Sequence, residues 1–433
     1  MRYNQFIFFV LLNLNAQFGL ITPAIAAGNI SLAVINLDEA TALALQANPD
    51  ISVALSGREV ESGQALQAGA RLNPTLSAQI EDLRSHNRIT SLLISQPLET
   101  AGKRIKRIAA ADATIAIADA DIRIAQAEIS AKVYAAFYQV LAAQQSQMLA
   151  TELLKIGTTS KVTTAKRVLA GKVSPVEETK AKVVEASLKV DLVNASQQLI
   201  AAKKRLISLW GKGLASAETT TFTAMGDLNK LNTLPPLNAL AAELPNSPRL
   251  KKASLMVIQK QAFSEIEKSR QTPDVTISLG ARRNEELGGI TQALVSLSVP
   301  IPLFDKNQGN LQSAKAREVQ SQNEKIALEN QLQTELAIAY AHWQSQIEAI
   351  ATYSEDILPG AQSAFDAARK GFDFGKFSFL EVLDAQRTLF QTKTQFIQTQ
   401  ALAHQAEADI QSILGVTGNY KPLVGDEDKK EFP

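Results

Sequence analysis

The chain changes character within one stretch, Leu297-Ser298-Val299-Pro300-Ile301-Pro302-Leu303-Phe304-Asp305-Lys306-Asn307-Gln308-Gly309-Asn310. Before it, residues 293–299 alternate between apolar and mostly small or polar side chains, the period of a strand that faces two environments. After it, from about Gln308 to Arg369, the chain is rich in Ala, Gln, Glu and Lys. That composition predicts one helix of about 90 Å, far longer than a globular domain needs. The prolines in between end the strand, because they cannot continue its hydrogen-bond ladder.

The composition excludes several classes of function. The 433 residues contain 44 Lys and Arg, 43 Asp and Glu and no Cys. This charge balance gives no reason to expect a nucleic-acid partner, and the lack of cysteine excludes disulfides and thiolate metal sites. No nucleotide-binding glycine loop, nucleophile elbow or metalloprotease helix is present, so we expect no enzyme, no cofactor and no metal site. We expect the three histidines, His86, His342 and His404, to be structural or solvated.

Residues 1–26 have the pattern of a secretory signal peptide. Arg2 precedes the apolar run 6–12, and Ala24-Ile25-Ala26 offers a cleavage site between small residues. A membrane anchor is the alternative, but polar residues interrupt the run from Asn13, too early for a spanning helix. No later apolar stretch approaches the ~20 residues that cross a bilayer as a helix. We therefore expect an exported chain that enters a membrane, if at all, as strands. With no cysteine, it cannot carry a lipid on an N-terminal cysteine.

One structural unit is present twice. Each copy is predicted to contain a helix, a strand, a short polar turn, a second strand, a long helix, a tight turn and a return helix. Pro49 and Pro74 recur as Pro248 and Pro273, both 199 positions later. Further landmarks recur in the same order: Tyr134–Phe137 with Tyr340–Trp343, Gly171–Ser174 with Gly375–Ser378, and Ser208–Gly211 with Ser412–Gly415. Ordered landmarks at a nearly constant spacing indicate an internal duplication.

The duplication predicts the domain organisation. We expect a signal peptide at 1–26, a first repeat at 27–211, an insert at 212–236, a second repeat at 237–415 and a charged C-terminal tail at 416–433. The predicted strands are about 74–83 and 89–98 in the first repeat, and about 273–282 and 292–302 in the second.

The predicted strands fit a membrane wall. Strands of roughly nine to eleven residues, apolar on one face and polar on the other, suit a barrel with lipid outside and water inside. A soluble hairpin packed on a small core is the alternative. Four strands cannot close a barrel, and open edges are not tolerated in lipid, so several chains would have to share one. Three chains would supply 12 strands, although the strand count alone does not fix that number.

Apolar residues recur every seven positions in two predicted helices. One series is Val382, Leu389, Phe396, Ala403 and Ile410, and the other begins with Val176, Val183 and Val190. This spacing predicts left-handed coiling of paired helices. A plain coiled-coil rod would explain the helices equally well, but not the strands.

The turn before the last helix carries an informative polar cluster, within Gly375–Gln386. Ser378 followed by Glu381 predicts a capping box at the helix start. Asp384, one turn further on, is not explained by capping. In a ring of several chains, Glu381 and Asp384 would form rings of carboxylates at one mouth, and such rings favour cations. The first repeat has Glu177 near the equivalent place, but Lys180 where Asp384 falls.

Three segments carry a resemblance to a known family. The duplicated unit, Ser95-Gln96-Pro97-Leu98-Glu99-Thr100-Ala101-Gly102-Lys103-Arg104 and Pro300–Asn310 resemble the TolC-type outer-membrane efflux proteins. Gly375–Gln386 resembles the periplasmic-tip motif of that family. The Gln-Pro-Leu-Glu and Pro-Leu-Phe-Asp-Lys-Asn-Gln-Gly forms are most similar to its cobalt–zinc–cadmium branch.

The resemblance implies a mainly α-helical chain with a membrane β-barrel. It implies a homotrimer with a 12-stranded barrel in the outer-membrane lipid of a Gram-negative cell and a 12-helix tunnel through the periplasm. The insert and the tail would form an equatorial belt. The implied partners are a periplasmic adaptor protein and an inner-membrane, proton-driven pump.

The resemblance also implies the function. It is that of a passive exit duct in a tripartite efflux system for divalent heavy-metal cations. Two alternatives stay open: a duct for drugs, solvents or type I secretion, and an exported coiled-coil structural protein. The implied gate residues are Glu381, Asp384 and Glu177, with Lys180 departing from the pattern. The implied adaptor-docking residues lie in the two tight turns: Gly171, Lys172, Ser174, Gly375, Lys376 and Ser378.

Overall fold

The computed structural model describes residues 34–82, 84–211 and 222–416. The predicted signal peptide, residues 212–221 of the predicted insert and the predicted tail after Val416 lie outside the described residues. The elements in chain order are β1 (Val34–Ile35), α1 (Leu37–Ala47), α2 (Pro49–Gly69), β2 (Thr75–Glu81), β3 (Ile89–Leu98), α3 (Lys103–Leu169), α4 (Pro175–Ser208), β4 (Thr223–Ala224), α5 (Leu237–Glu243), α6 (Pro248–Ser269), β5 (Val275–Asn284), β6 (Ile290–Ser298), α7 (Gln308–Thr352), α8 (Leu358–Asp373) and α9 (Phe379–Leu414).

The described elements repeat in order, as the duplication predicts. Helix α2, strands β2 and β3 and helices α3 and α4 recur as α6, β5, β6, the α7–α8 pair and α9. In both copies the first helix has a proline at its first position, Pro49 in α2 and Pro248 in α6. Proline fits there because the first helical N–H has no partner within the helix.

The core of the bundle lies where the short helices cover the long ones. One cluster of buried side chains surrounds Phe137 of α3 and Trp210, together with Phe222 beside β4. A second surrounds Leu336 and Trp343 of α7. The two aromatic landmarks of the duplication therefore mark equivalent places in the core, one in each repeat. Strand β1 pairs in parallel with β4 at the first cluster, a contact that the sequence did not predict.

The four longer strands form one antiparallel sheet in the order β2-β3-β5-β6. One face exposes apolar side chains, among them Ile80, Ile94 and Val295. The other carries serines, with the Ser95 and Ser278 hydroxyls 2.8 Å apart. Side chains on an antiparallel pair alternate between faces, so the predicted apolar and polar faces are present. Gly280 has no room for a side chain, since a Cβ there would lie 2.2 Å from the Leu92 carbonyl oxygen.

Several strand boundaries differ from the prediction, including the end of β2 at Glu81 rather than 83, the start of β5 at Val275 rather than 273 and the start of β6 at Ile290 rather than 292. Strand β5 extends to Asn284, two residues past the predicted end, because its last residues pair with the start of β3. Strand β6 ends at Ser298, short of the predicted 302. Within the described chain, β6 has a neighbour on one side only, and that neighbour is β5.

The prediction of one uninterrupted helix from Gln308 to Arg369 is wrong at one point. Pro359 lies within it, and a single π-helical turn, Tyr353–Ile357, joins α7 to α8 just before that proline. Proline lacks the N–H of a regular helical turn, and its ring clashes with the carbonyl four residues back. The wider turn lets the chain pass the proline and remain helical.

The two series with seven-residue spacing have different surroundings. In α9, Val382, Leu389 and Ile410 are buried, as coiled pairing predicts. In α4, Val176 and Val183 are exposed, and this helix packs through another face that includes Ala181 and Leu199. Within the described residues, no helix is long and apolar enough to cross a membrane.

Candidate functional site

The first tip, Gly171–Ser174, reverses the chain between α3 and α4. Gly171 has a φ of 68°, a left-handed conformation that glycine adopts without strain. Its N–H donates to the Val168 carbonyl at 2.9 Å, and the Lys172 N–H donates to the Arg167 carbonyl at 2.9 Å. The Ser174 hydroxyl then accepts the Val176 N–H at 3.3 Å and caps α4.

The second tip, Gly375–Ser378, repeats this pattern between α8 and α9. Gly375 has a φ of 73°, and the Lys376 N–H donates to the Gly371 carbonyl at 2.8 Å. Gly371 is required by packing, because a Cβ would lie 2.2 Å from a ring carbon of Phe377. The Ser378 N–H donates to the Glu381 carboxylate at 2.6 Å, and the Glu381 N–H donates to the Ser378 hydroxyl at 3.4 Å. The predicted capping box is therefore present.

Arg167, at the end of α3, joins the two tips. Its guanidinium donates to the Phe372 carbonyl at 3.1 Å and lies 4.0 Å from the centre of the Phe372 ring. Asp373 is 3.9 Å away, at the limit of an ion pair. Ala181 of α4 packs in the same apolar cluster as Phe372. A cation, an aromatic face and a carbonyl thus hold the ends of the two helix pairs side by side.

The three predicted gate carboxylates have different surroundings. Glu381 is exposed, and its carboxylate accepts a hydrogen bond within the capping box. Asp384 is exposed and makes no hydrogen bond or ion pair with the described part of the chain. Glu177 occupies the same position after its cap as Glu381, but one of its carboxylate oxygens is buried without a hydrogen-bond partner. The first tip therefore lacks the reciprocal half of the capping box. Lys180, the counterpart of Asp384, is exposed.

The far end of α9 carries a buried polar row of four side chains, Gln400, His404, Glu407 and Gln411. The row binds the segment that follows β4. Gln400 donates to the Asn229 side chain at 2.6 Å, and His404 Nε2 lies 3.1 Å from the Leu228 carbonyl. Glu407 accepts hydrogen bonds from Asn232 at 2.5 Å and from Gln411 at 3.1 Å. This row was not predicted from the sequence, because its partners lie more than 170 positions away in the chain.

Burial perturbs the titrating groups of this row. Desolvation lowers the pKa of His404 to about 4, although the Leu228 carbonyl and Asp227 act in the opposite direction. The same effect raises the pKa of Glu407. The His404 ring stacks on Tyr138 with centroids 3.4 Å apart, and its Nδ1 lies 3.1 Å from the Tyr134 hydroxyl. His404 is therefore a structural residue, as expected.

The arrangement of polar groups gives no metal centre in the described ranges. No group of three or more His, Asp and Glu side chains there is placed to hold a metal ion. In α9, the second tip and the buried row lie at opposite ends of the helix.

A family model matches the chain twice. The model is that of the outer membrane efflux protein, and it matches residues 41–212 and 239–416. The chain belongs to the outer membrane efflux protein family. The two matched ranges follow the two copies of the repeated unit, so this efflux protein carries the family pattern once in each repeat.

Curated relatives of the efflux protein are named as metal resistance proteins. The chain is 36% identical over 381 residues to the cobalt-zinc-cadmium resistance protein CzcC of Cupriavidus metallidurans, covering 88% of this chain and 90% of that one. It is 25% identical to the nickel-cobalt-cadmium resistance protein NccC of Alcaligenes xylosoxydans xylosoxydans, covering 62% of this chain and 61% of that one.

Solved structures share the fold. The crystal structure of CusC matches with a TM-score of 0.73 at 20% identity, covering 87% of this chain and 91% of that one. The outer membrane protein VceC of Vibrio cholerae matches with a TM-score of 0.71 at 21% identity, covering 88% and 96%. The efflux protein therefore has the fold of these outer-membrane channels, as the sequence predicted.

Proposed function

We propose that this efflux protein is the outer-membrane exit duct of a tripartite system that exports divalent heavy-metal cations. The observation that carries the choice of cargo is the 36% identity, over 88% of the chain, to a cobalt-zinc-cadmium resistance protein. In this proposal the duct is passive and not an enzyme, and an inner-membrane pump supplies the energy.

The surfaces left open in the single chain support a homotrimer in the outer membrane. Strands β2 and β6 are the free edges of the sheet, and free edges are excluded from lipid. Three copies would supply 12 strands, an even number within the range of known membrane barrels. The exposed valines of α4, with their seven-residue spacing, offer a neighbouring copy a coiled-coil face.

The two tips are the proposed docking surface for the periplasmic adaptor. Gly171, Lys172, Ser174, Gly375, Lys376 and Ser378 form the two turns. Large apolar side chains are exposed next to them, including Leu169 beside the first tip and Phe374 and Leu380 beside the second. Exposed apolar groups rimmed by polar ones mark surfaces that bind another protein.

The carboxylates near the tips are the proposed cation gate. Asp384 is exposed and has no partner among the described residues, so its charge can act on ions that enter the mouth. Glu381 adds a charge one turn earlier, while Glu177 contributes less because it is partly buried. Rings of carboxylates favour cations over anions.

Growth of a deletion strain tests the cargo. The strain is compared with the same strain carrying the restored gene, across zinc, cobalt, cadmium, nickel, copper and a panel of dyes and antibiotics. We expect sensitivity confined to divalent metals and reversed by the gene. Sensitivity to dyes and antibiotics alone would overturn the cargo and leave the duct. Outer-membrane fractions that lack the protein would overturn the duct and favour an exported coiled-coil structural protein.

A further inference from the structure

The polar face of the four-stranded sheet carries very little charge. This face is the one on which the Ser95 and Ser278 hydroxyls meet. Side chains alternate between the two faces along each strand, so the pairing register assigns every strand residue to one face. Among the paired residues that the structure describes, the polar face has two charged side chains, Glu81 of β2 and Arg282 of β5.

Arg282 lies near the end of the sheet that is farthest from the helices. Helix α2 leads into β2, and β3 leads into α3, so the turns within the two hairpins are at the opposite end of the strands. Strand β5 ends at Asn284, two residues after Arg282. The tips lie at the far ends of the long helices. In the proposed duct, Arg282 is therefore close to the outer mouth.

The neighbours of Arg282 on the polar face do not neutralise its charge. Along β5 the neighbours are Gly280 and Asn284, and across the sheet they are Ser91 and Gln292. None of these four residues is acidic. Arg282 is partly buried and makes no hydrogen bond or ion pair with the described part of the chain. Its guanidinium is thus an uncompensated positive charge on this wall.

Glu81 is too far from Arg282 to form an ion pair. It lies two strands away and one row nearer to the turns, which places the two residues about 12 Å apart by the spacing of strands and residues. Glu81 is exposed, and its carboxylate accepts a hydrogen bond from the Gln79 side chain at 3.2 Å. Water screens an exposed charge more than a partly buried one, so the field of Arg282 should dominate the wall behind the rim.

We propose that Arg282 determines the ion selectivity of the outer mouth, where it opposes the passage of cations. This inference rests on the homotrimeric duct proposed above, with the polar face of the sheet towards its water-filled interior. Three copies of the chain place three Arg282 side chains around the mouth. Rings of arginine or lysine favour anions, whereas rings of carboxylates favour cations. The two ends of the duct then carry charges of opposite sign.

Such a ring has a direct consequence for a metal exporter. The Coulomb energy is proportional to the charge of the ion, so a divalent cation is repelled twice as strongly as a monovalent one. Outward flow is driven by the pump, but the return of cations from outside is passive. The Arg282 ring therefore restricts backflow of exported metal more than it restricts export.

The next residue along the strand supplies a matched control. Arg283 has the same charge but lies on the apolar face, opposite Thr90 and Thr291. It is exposed, and its guanidinium forms an ion pair with Glu285 at 2.8 Å. Substitution of Arg283 removes one positive charge per chain without changing the polar face.

Reversal potentials in planar bilayers test the proposal with the full-length protein and potassium chloride gradients. The natural protein is compared with Arg282→Gln, Arg282→Lys and Arg283→Gln. We expect the cation-to-anion permeability ratio of Arg282→Gln to rise about twofold near 0.1 M salt and to match the natural protein near 1 M, because the Debye length falls from about 10 Å to about 3 Å. Arg282→Lys and Arg283→Gln should keep the natural ratio at both concentrations.

The outcomes separate this inference from the proposed duct. An unchanged ratio in Arg282→Gln near 0.1 M salt, from channels of natural stability, overturns the role of Arg282 and leaves the duct. An equal rise in Arg283→Gln, or a rise that persists near 1 M salt, also overturns it, because the effect would not come from a charge in the interior. A natural protein that forms no channel overturns the duct and, with it, this inference.

Discussion

The two ends of α9 use similar residues for opposite purposes. At the tip, Glu381 caps the helix, and Asp384 is exposed and has no partner in the part of the chain that the structure describes. At the other end, Glu407 is fully buried and hydrogen-bonded to Asn232, and His404 is buried against two tyrosines. Solvent decides the difference, because water stabilises a carboxylate charge at the tip and its absence disfavours charge in the buried row.

This contrast assigns different properties to the two ends. The buried row joins α9 to the segment after β4 and to α3, so it should govern stability. The residues of the tip are exposed, so the tip should govern conduction and docking. Substitutions in the buried row should therefore act mainly on stability, and substitutions at the tip mainly on conduction and docking.

The largest effect on stability is expected at Glu407. Glu407→Ala leaves the half-buried Asn232 side chain and the buried Gln411 side chain without their acceptor and creates a cavity, which should cost about 3 kcal/mol. Glu407→Gln is the matched control, because it keeps the acceptor oxygen and mimics a neutral carboxyl group. Glu407→Gln should lower the free energy of unfolding by about 1 kcal/mol. Thermal unfolding in detergent measures both, and equal losses would contradict the role of the Glu407 oxygen as the shared acceptor.

The second effect is the pH dependence of stability that arises from His404. The pKa of His404 is lowered from 6.5 to about 4, so between these values the unfolded chain binds more protons than the folded one. Stability is therefore lost as the pH falls from 6.5 towards 4, by up to roughly 3 kcal/mol. The raised pKa of Glu407 acts in the opposite direction above its unfolded value of 4.5.

A comparison of variants isolates the histidine. In His404→Phe, thermal unfolding should depend less on pH across this window than in the natural protein. Glu407 is unchanged in that variant, so its contribution to the pH dependence cancels in the difference. An identical pH dependence in both proteins would remove His404 from this role.

The third effect lies at the tips and concerns conduction. Arg167→Ala removes the hydrogen bond to the Phe372 carbonyl and the stacking on its ring, so the second tip should separate more readily from the first. We expect a severalfold rise in single-channel conductance in planar bilayers. Arg369→Ala is the control, because it removes the same charge from an exposed site on α8. Equal conductance in the two variants would show that the Arg167 contact between the tips does not limit conduction.

The fourth effect concerns ion selectivity and compares the repeats. Glu381→Ala with Asp384→Ala removes two carboxylates from the second tip and should reduce the preference for cations. Lys180→Asp places a carboxylate at the equivalent site of the first repeat and should increase it. Reversal potentials across a salt gradient measure both changes. Selectivity that is unaltered in both variants would exclude these residues from the gate.

The smallest effect is a difference in stability between the helix caps of the two tips. Glu381→Ala removes the acceptor for the Ser378 N–H and should cost about 1 kcal/mol. Glu177→Ala changes the equivalent residue of the first tip but removes no such hydrogen bond, so it should reduce the stability by less. Thermal unfolding of the pair gives the difference. An equal loss would mean that the capping box does not distinguish the tips.

Local signals in the sequence predicted the repeated architecture. The glycines of both tips, the capping box at Ser378 and the alternation in the strands depend on neighbours a few positions away. The same holds for the prolines at the start of α2 and α6. Periodicity and spacing carry such information directly.

Features that depend on distant partners were not predicted. His404 meets Tyr134 across 270 positions, and its environment exists only once α3 and α9 pack. Glu177 repeats the position of Glu381, but its side chain is partly buried and does not complete the capping box. Pro359, by contrast, is a local signal that the prediction of one uninterrupted helix did not take into account, and the π-helical turn before it has no buried residue.

Metal retained by cells tests the central claim most directly. A strain that lacks the gene is loaded with zinc, cobalt and cadmium, and cell-associated metal is followed by mass spectrometry after transfer to metal-free medium. We predict slow loss of all three metals in the deletion strain and fast loss when the gene is restored, with slower loss again for Glu381→Ala with Asp384→Ala. Equal rates of loss with and without the gene, while the protein is present in the outer membrane, would contradict an exit duct for divalent metals.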